Sequence, residues 1–147
     1  MKLTSPAFLN NEFIPSKYTC DGEGANPELN ISGVPDDAKS LALIMHDPDA
    51  PIEEGFTHWV MWNIDPKIIK IGEDNIPSGA VQGFTNLNRA GYVGPCPHQG
   101  THHYEFRIYA LDTILNLKSS SRKDDVERAM ENHILEKTIL TGLYKRV

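Results

Sequence analysis

The fold is decided by a run of five apolar residues, Leu41-Ala42-Leu43-Ile44-Met45, which no polar side chain interrupts. A second run, His58-Trp59-Val60-Met61-Trp62-Asn63-Ile64, is also apolar on both of its faces. Segments this short, bounded by clusters of Asp and Pro, are typical of central β-strands rather than of buried helices. The two runs therefore predict two core strands, Leu41–Met45 and His58–Ile64.

Further along the chain the hydrophobic pattern becomes an alternation. Every second residue from Tyr104 to Ala110 is apolar, and the intervening residues begin with Glu105 and Arg107. This period is typical of a strand with one buried face, so Tyr104–Leu111 is predicted as a third core strand. A last β-like run is predicted over Thr138–Tyr144.

One helix is predicted, from near Lys123 to near His133. Four residues recur there at helical spacing: Val126, Ala129, Met130 and His133. We expect a hydroxyl of the Ser119-Ser120-Ser121 cluster to cap the first free amides. Asp124 and Asp125 would then lie near the positive end of the helix dipole, where carboxylates are favourable.

The balance of many short runs and one late helix favours a mainly β fold. Eleven Gly and ten Pro separate the apolar runs, as turns between strands require. The predicted architecture is an antiparallel β-sandwich with a peripheral C-terminal helix. A length of 147 residues predicts a single domain, 1–147. The least patterned stretch, Lys67–Asn88, is predicted to carry long loops.

Charge and hydropathy indicate where the protein acts. The formal net charge is −6, and the only basic cluster is Lys145-Arg146, so we expect no nucleic-acid partner. No apolar run has the length of a signal peptide or approaches the roughly 20 residues that span a bilayer. The sequence therefore predicts a cytoplasmic protein without integral membrane association.

The two cysteines, Cys20 and Cys96, show no CxxC pattern and so give no zinc signature. In a reducing cytosol we expect two free thiols, neither of them catalytic. A Cys20–Cys96 bridge is the main alternative.

Two loops could carry chemistry. The segment Asp47-Pro48-Asp49-Ala50-Pro51 follows a buried strand, and its prolines stiffen two carboxylates at the strand end. Asp side chains in such a turn can equally cap nearby backbone amides. The second segment, Gly91–Tyr104, combines glycines that permit close backbone approach with several His and Tyr side chains. His58 lies in an apolar strand and could pair with Asp47 if the two strands are adjacent, which would favour a protonated imidazole.

Taken together, these segments resemble the phosphatidylethanolamine-binding family, in its bacterial and archaeal branch. The resemblance rests on the Asp47–Pro51 loop, the His58-Trp59 strand, and Gly94-Pro95-Cys96-Pro97 followed by His102-His103-Tyr104 and Phe106–Asp112. Further matches are Thr19-Cys20-Asp21-Gly22, Ser32-Gly33-Val34-Pro35 and the late helix with Ala129-Met130. The resemblance runs from about Thr19 to Tyr144.

The family fold is a β-sandwich with a small anion pocket at one end. By resemblance, Asp47, His58, His102 and Tyr104 fall on the pocket positions. Tyr92, Gly94 and Pro95 fall on the loop at its rim. The implied ligand is a phosphate-bearing small molecule such as phosphate or phosphoethanolamine, and members of the family are linked to regulation of kinases or proteases. The resemblance also suggests a homodimer.

Three positions depart from the pattern of the family. His98 stands where a second consecutive proline is usual, and His103 stands where Arg is common. The segment Asn26-Pro27-Glu28-Leu29 replaces a Ser-Pro-Pro-Leu type of sequence. The first of these changes puts the rim of the pocket in question.

The leading interpretation is a binding protein, not an enzyme, that holds an anion without metal or cofactor. Alternatives are a protease inhibitor acting by protein–protein contact and a hydrolase that uses Cys96 with a nearby His as nucleophile and base. No Gly-x-Ser-x-Gly elbow and no helix beginning at Cys96 support the hydrolase. The His and Asp side chains could also hold zinc, but no His-x-x-x-His helix or Cys pair favours it.

Overall fold

The computed structural model describes residues 1–146; Val147, the last residue of the predicted domain, lies outside the described residues. The strands are, in chain order, β1 (Lys2–Thr4), β2 (Glu12–Phe13), β3 (Leu29–Ser32), β4 (Ser40–Asp47), β5 (Phe56–Ile64), β6 (Lys70–Ile71), β7 (Val81–Gln82), β8 (His102–Leu111) and β9 (Ile134–Tyr144). A 3-10 turn spans Ser16–Tyr18 and an α-helix, α1, spans Lys123–Met130.

The strands form two sheets. The smaller sheet has the order β1-β3-β6, and the larger has the order β2-β9-β8-β4-β5-β7. Within residues 1–146, all paired strands are antiparallel except β2 and β9 at the edge of the larger sheet. The prediction of a mainly β sandwich with a peripheral C-terminal helix is confirmed, with that one parallel pair as the departure.

The two strands predicted from apolar runs lie at the centre of the larger sheet. Leu41–Met45 lies inside β4, in which every residue is buried, and His58–Ile64 lies inside β5. Successive side chains of a strand point to opposite faces. Leu43 therefore enters the cluster between the two sheets, whereas Ile44 enters the cluster beneath α1. Because both faces of the sheet are covered, neither strand shows a polar alternation.

The strands β8 and β9, on the other side of β4 from β5, refine the prediction. β8 begins at His102, two residues before the predicted start, and its last four residues are all buried. The first half of β8 has a single buried face, as predicted. Its second half is buried on both faces, because Tyr109 packs into the cluster beneath α1. β9 begins at Ile134, four residues before the predicted run, and pairs with β8 along its whole length.

The helix begins at Lys123 as predicted, but it ends at Met130, three residues before the predicted end near His133, and its cap differs. No serine of the 119–121 cluster caps it; the residue before its first turn is Arg122, whose backbone N–H donates to the Asp125 carboxylate at 2.9 Å. The serine backbone is used elsewhere, since the Ser121 carbonyl accepts from the Phe84 N–H at 2.8 Å. The prediction of a serine cap is therefore wrong.

The stretch 67–88 was predicted to carry long loops. Its two strands, β6 and β7, are only two residues long each, and the rest of the stretch contains no strand or helix. No helix within residues 1–146 is both long and apolar enough to cross a bilayer.

Gly142 of β9 provides a test of the packing between the β2 region and the larger sheet. A Cβ at Gly142 would lie 2.5 Å from Ile14 and 2.8 Å from Phe8, both of which are buried. We expect Gly142→Ala to lower the free energy of unfolding by about 1–3 kcal/mol, the usual cost of overpacking a core. Denaturant unfolding measures it.

The matched control is Gly72→Ala, because a Cβ there meets its nearest atom, the Asn75 Cβ, at an ordinary 3.6 Å. Equal stability of the two variants would show that the strand can move away from Ile14 and Phe8 without cost.

Candidate functional site

A cavity of about 370 Å³ opens at one end of the larger sheet, where β4 ends and where β5 and β8 begin. This volume lies in the range of small-molecule sites. Its polar base consists of Asp47, His58, His102 and Tyr104. Its apolar rim consists of Ala50, Pro51, Ile52, Phe56, Leu87, Val93 and Pro97. The four base residues are at most 8% exposed, whereas Ile52 and Leu87 are 49% and 46% exposed. The polar groups thus lie at the bottom of an apolar entrance.

Asp47 and His102 form a buried pair in the polar base. Oδ2 of Asp47 lies 2.7 Å from Nδ1 of His102, and Oδ1 accepts the backbone N–H of Asp49 at 2.8 Å. Nε2 of His102 lies 3.1 Å from the carbonyl oxygen of Gln99. Both neighbours of the ring are acceptors, so an imidazolium with an N–H on each nitrogen satisfies both. The pair holds the His102 ring at the cavity wall in an orientation set by a carboxylate.

His58 is held differently. Its Nδ1 lies 2.7 Å from the carbonyl oxygen of Val93, so Nδ1 carries the proton and Nε2 keeps its lone pair. Burial lowers the pKa of His58 from 6.5 to about 4, although the Val93 carbonyl and the charge of Asp47 oppose the shift. His58 is therefore neutral at physiological pH and presents an acceptor.

The predicted pair between Asp47 and His58 is wrong. The strands β4 and β5, which carry Asp47 and His58, are adjacent as the prediction required. In their register, however, Asp47 lies opposite Phe56 rather than His58. On the other side of β4, His46 is opposite Glu105, which brings the first residue of β8 within reach of the carboxylate. The carboxylate consequently turns towards His102.

Tyr104 completes the polar base. Its ring packs edge-on against His58, with centroids 5.2 Å apart, and stacks near His102 at 6.3 Å. The side chain is fully buried, and its hydroxyl has no hydrogen-bond partner among residues 1–146. Burial raises the pKa of Tyr104, and the negative charge of Asp47 raises it further. The phenol is therefore a neutral O–H donor whose hydrogen-bonding capacity is unused by the described residues.

Of the three predicted rim residues, Gly94 lines the cavity, whereas Tyr92 and Pro95 do not. A Cβ at Gly94 would lie 3.0 Å from the backbone of Thr19, so the close approach of the two loops requires glycine. The Tyr92 hydroxyl donates to the Tyr18 carbonyl at 2.8 Å, and the Pro95 carbonyl accepts from Cys20. Both residues support the cavity wall from behind.

Cys96 also lines the cavity, and it is bonded to Cys20. The prediction of two free thiols is therefore wrong, and the alternative bridge is present. The Cα atoms are 5.5 Å apart, because Gly94 packs on Thr19 and the Pro95 carbonyl accepts the Cys20 N–H at 3.1 Å. With its sulfur in a disulfide, Cys96 has no thiolate with which to act as a nucleophile.

Two of the three departures from the family pattern, His98 and His103, lie beside this site. His98 lines the cavity and is exposed. His103 lies outside the lining; its ring Nδ1 and backbone N–H are 2.7 and 2.8 Å from Oδ2 of Asp49. Burial opposes ionisation of Asp49, but the contacts with His103 outweigh it and lower the Asp49 pKa. This exposed pair tethers the loop after β4 to the start of β8.

Sequence reasoning missed the apolar rim. Phe56 precedes His58 by two residues, so strand periodicity places it on the same face and could have indicated it. Leu87 and Val93 come from irregular loops and carry no such signal. No group of three or more His, Cys, Asp or Glu suited to a metal ion occurs in the part of the chain that the structure describes.

This fold and site define a class of two-sheet β-sandwich proteins with a cavity at one end of the larger sheet. A sequence model described as phosphatidylethanolamine-binding protein matches residues 4–145. The chain belongs to the phosphatidylethanolamine-binding protein family.

Individual relatives agree with that assignment. A UPF0098 protein of Methanothermobacter thermautotrophicus is 49% identical, with 99% of both chains covered. The crystal structure of a phosphatidylethanolamine-binding protein homologue of Chlamydia trachomatis superimposes with a TM-score of 0.95 at 40% identity, covering 99% of this chain and 97% of the other. The crystal structure of YbcL of Escherichia coli, described as a new member of the mammalian family, superimposes with a TM-score of 0.93 at 30% identity. The superposition covers 99% of this chain and 98% of the other.

The bridge is testable on protein purified without reductant. We expect no titratable thiol after denaturation, because Cys20 and Cys96 are joined. Replacing both cysteines by serine should lower the free energy of unfolding by about 2–4 kcal/mol, since the unfolded chain gains freedom. Two titratable thiols in the unreduced, denatured protein would contradict the bridge.

The protonation of His58 is measurable by nitrogen-resolved NMR, which should show an Nδ1-protonated ring with a pKa near 4. Unfolded His58 takes up a proton near pH 6.5, so acid favours the unfolded chain. The resulting stability, about 3 kcal/mol, is fully present above pH 6.5 and is lost as the pH falls towards 4. A measured pKa near 6.5 would contradict this description.

Proposed function

We propose that this protein binds a small ligand through a phosphate or similar anionic group seated on the polar base of the cavity. The observation that carries the proposal is the hydroxyl of Tyr104, which is buried against the cavity and has no partner among the described residues. A buried donor without a partner costs roughly 1–3 kcal/mol, and a ligand oxygen would recover that cost. An anionic oxygen is the stronger acceptor.

The charge of the polar base supports the same ligand class. None of the described residues that line the cavity is Lys or Arg. The carboxylate of the cavity, Asp47, is engaged by His102 at 2.7 Å. Such a site attracts an anion by hydrogen bonds from pre-oriented donors more than by net charge. Charge-assisted hydrogen bonds of this kind are roughly twice as strong as neutral ones.

The apolar rim suggests an organic phosphate rather than the free inorganic ion. Phe56, Val93 and Pro97 lie between the polar base and solvent, with Ile52 and Leu87 exposed at the mouth. A substituent on the phosphate would contact these side chains, and their burial would contribute roughly 25 cal/mol per Å² of apolar surface. A phosphate ester such as phosphoethanolamine therefore suits both the polar base and the apolar rim of the cavity.

Two loops of the site are restrained, one by a disulfide and the other by prolines. The Cys20–Cys96 bridge fixes the loop that carries Gly94, and prolines stiffen the loop that carries Asp49. Holding these groups in place beforehand lowers the ordering cost of binding.

Regulation of a kinase or protease, by the bound ligand or by direct protein contact, stays a prediction, as do a homodimer, a cytoplasmic location and the absence of catalysis. A binding role is favoured over hydrolysis by the disulfide at Cys96.

The proposal is tested by calorimetric titration with inorganic phosphate and phosphoethanolamine. We expect the wild type to bind, and Tyr104→Phe to weaken binding by about 1–3 kcal/mol, the cost of a lost hydrogen bond to a charged group. His102→Gln should also weaken binding, because Asp47 loses its imidazole partner in the polar base. The matched control is Tyr109→Phe, since this buried tyrosine lies on the same strand but in the cluster beneath α1.

Circular dichroism should show each variant folded. If the wild type binds neither ligand, or if Tyr104→Phe and His102→Gln bind as well as Tyr109→Phe, the assignment of the site is wrong.

A further inference from the structure

We infer that the cavity selects a phosphate ester that carries a proton and discriminates against the isosteric sulfate ester, because His58 presents a hydrogen-bond acceptor beside the Tyr104 donor. The inference rests on the proposed function, and it assigns His58 the role of a specificity-determining residue.

The role of His58 follows from its tautomer. The carbonyl oxygen of Val93 can only accept, and it lies 2.7 Å from Nδ1, so that nitrogen is the donor. Nε2 then carries a lone pair. Within residues 1–146 it has no hydrogen-bond partner, yet His58 belongs to the lining of the cavity. A ligand atom that meets Nε2 must therefore bring its own hydrogen.

The surroundings of His58 oppose a change of that tautomer to the cation. The ring is 5% exposed and packs against the Phe56 ring at 4.7 Å. The titratable groups whose charge reaches the ring are Asp47, His46 and His102, Tyr104 packs against it, and His98 lines the same cavity. Asp47 is the one negative charge among them, and its carboxylate is already engaged by His102 at 2.7 Å. Burial keeps the pKa of His58 near 4 despite that charge.

A donor and an acceptor thus lie side by side in the polar base, with ring centroids 5.2 Å apart. A phosphate monoester anion matches both, because one oxygen accepts from the Tyr104 hydroxyl and the P–OH donates to Nε2 of His58. Its second pKa is about 6, so the protonated form is available near neutral pH. A sulfate ester offers acceptors only, and one of its oxygens would face the lone pair of Nε2 without a hydrogen between them.

The experiment compares phenyl phosphate with phenyl sulfate by calorimetric titration at about pH 5, a unit below the second phosphate pKa, where both esters carry one negative charge. They then differ essentially in one proton. We expect the phosphate ester to bind about ten- to one-hundredfold more tightly, because the sulfate ester leaves Nε2 of His58 buried without a donor.

Two variants separate the roles of the base residues. His58→Phe removes the acceptor, so the preference for phosphate should fall to within about threefold. Tyr104→Phe removes a donor that both esters use, so both affinities should fall while their ratio stays unchanged. A second measurement needs no variant: between pH 6 and 8 the phosphate-to-sulfate ratio in the wild type should fall roughly tenfold per pH unit, since the protonated ester disappears.

In the pH series the sulfate ester is the control for any titration of protein groups, because its own charge is constant. Equal affinity for the two esters at about pH 5, or a ratio independent of pH, overturns the inference and leaves the proposed function intact. Binding of neither ester overturns both. Loss of the preference in Tyr104→Phe but not in His58→Phe assigns the discrimination to the phenol and also overturns it.

Discussion

The site depends on one interaction, the buried hydrogen bond between Asp47 and His102, whose atoms lie 2.7 Å apart. It joins the end of β4 to the start of β8, so it orients a side chain on each strand and holds the two strands together at the cavity. Removing one partner would leave the other buried and unpaired, which is costly for a charged group. The geometry of the polar base therefore depends on the register between β4 and β8.

That register also explains how three neighbouring histidines acquire different hydrogen-bond partners. His102 lies between two acceptors, Asp47 and the Gln99 carbonyl, which engage both of its ring nitrogens. His58 meets one carbonyl, is buried, and is neutral. His103 is on the opposite face of β8, reaches solvent, and pairs with Asp49 instead. The sequence contains similar residues; the strand face on which each lies decides its chemistry.

Much of the fold could be predicted, because a central strand covered on both faces leaves a local signal. The runs Leu41–Met45 and His58–Ile64 are such strands, and the structure places both at the centre of the larger sheet. The start of β9 was not predicted, because Ile134 and Leu135 are exposed on an edge and carry no burial pattern. The serine cap failed for another local reason: a hydroxyl cluster marks a turn but not which of its residues begins the helix.

For the site, resemblance indicated Asp47, His58, His102 and Tyr104 as a group, and they do converge. Their roles could not be predicted, since the partner of Asp47 depends on strand register and the tautomer of His58 depends on one carbonyl, that of Val93. The Cys20–Cys96 bridge was not predicted either, because it follows from the tertiary approach of two loops and not from the spacing of the cysteines.

The same side chains that suit the cavity for a ligand make the empty protein less stable than its core alone would allow. A buried Tyr104 hydroxyl without a partner costs free energy in the folded state, and the burial of His58 costs stability in acid, where the unfolded chain takes up the proton. A ligand that supplies an acceptor to the phenol removes the first cost and stabilises the folded chain by mass action. The proposed ligand therefore accounts for the unpaired phenol at the base of the cavity, which packing alone leaves unexplained.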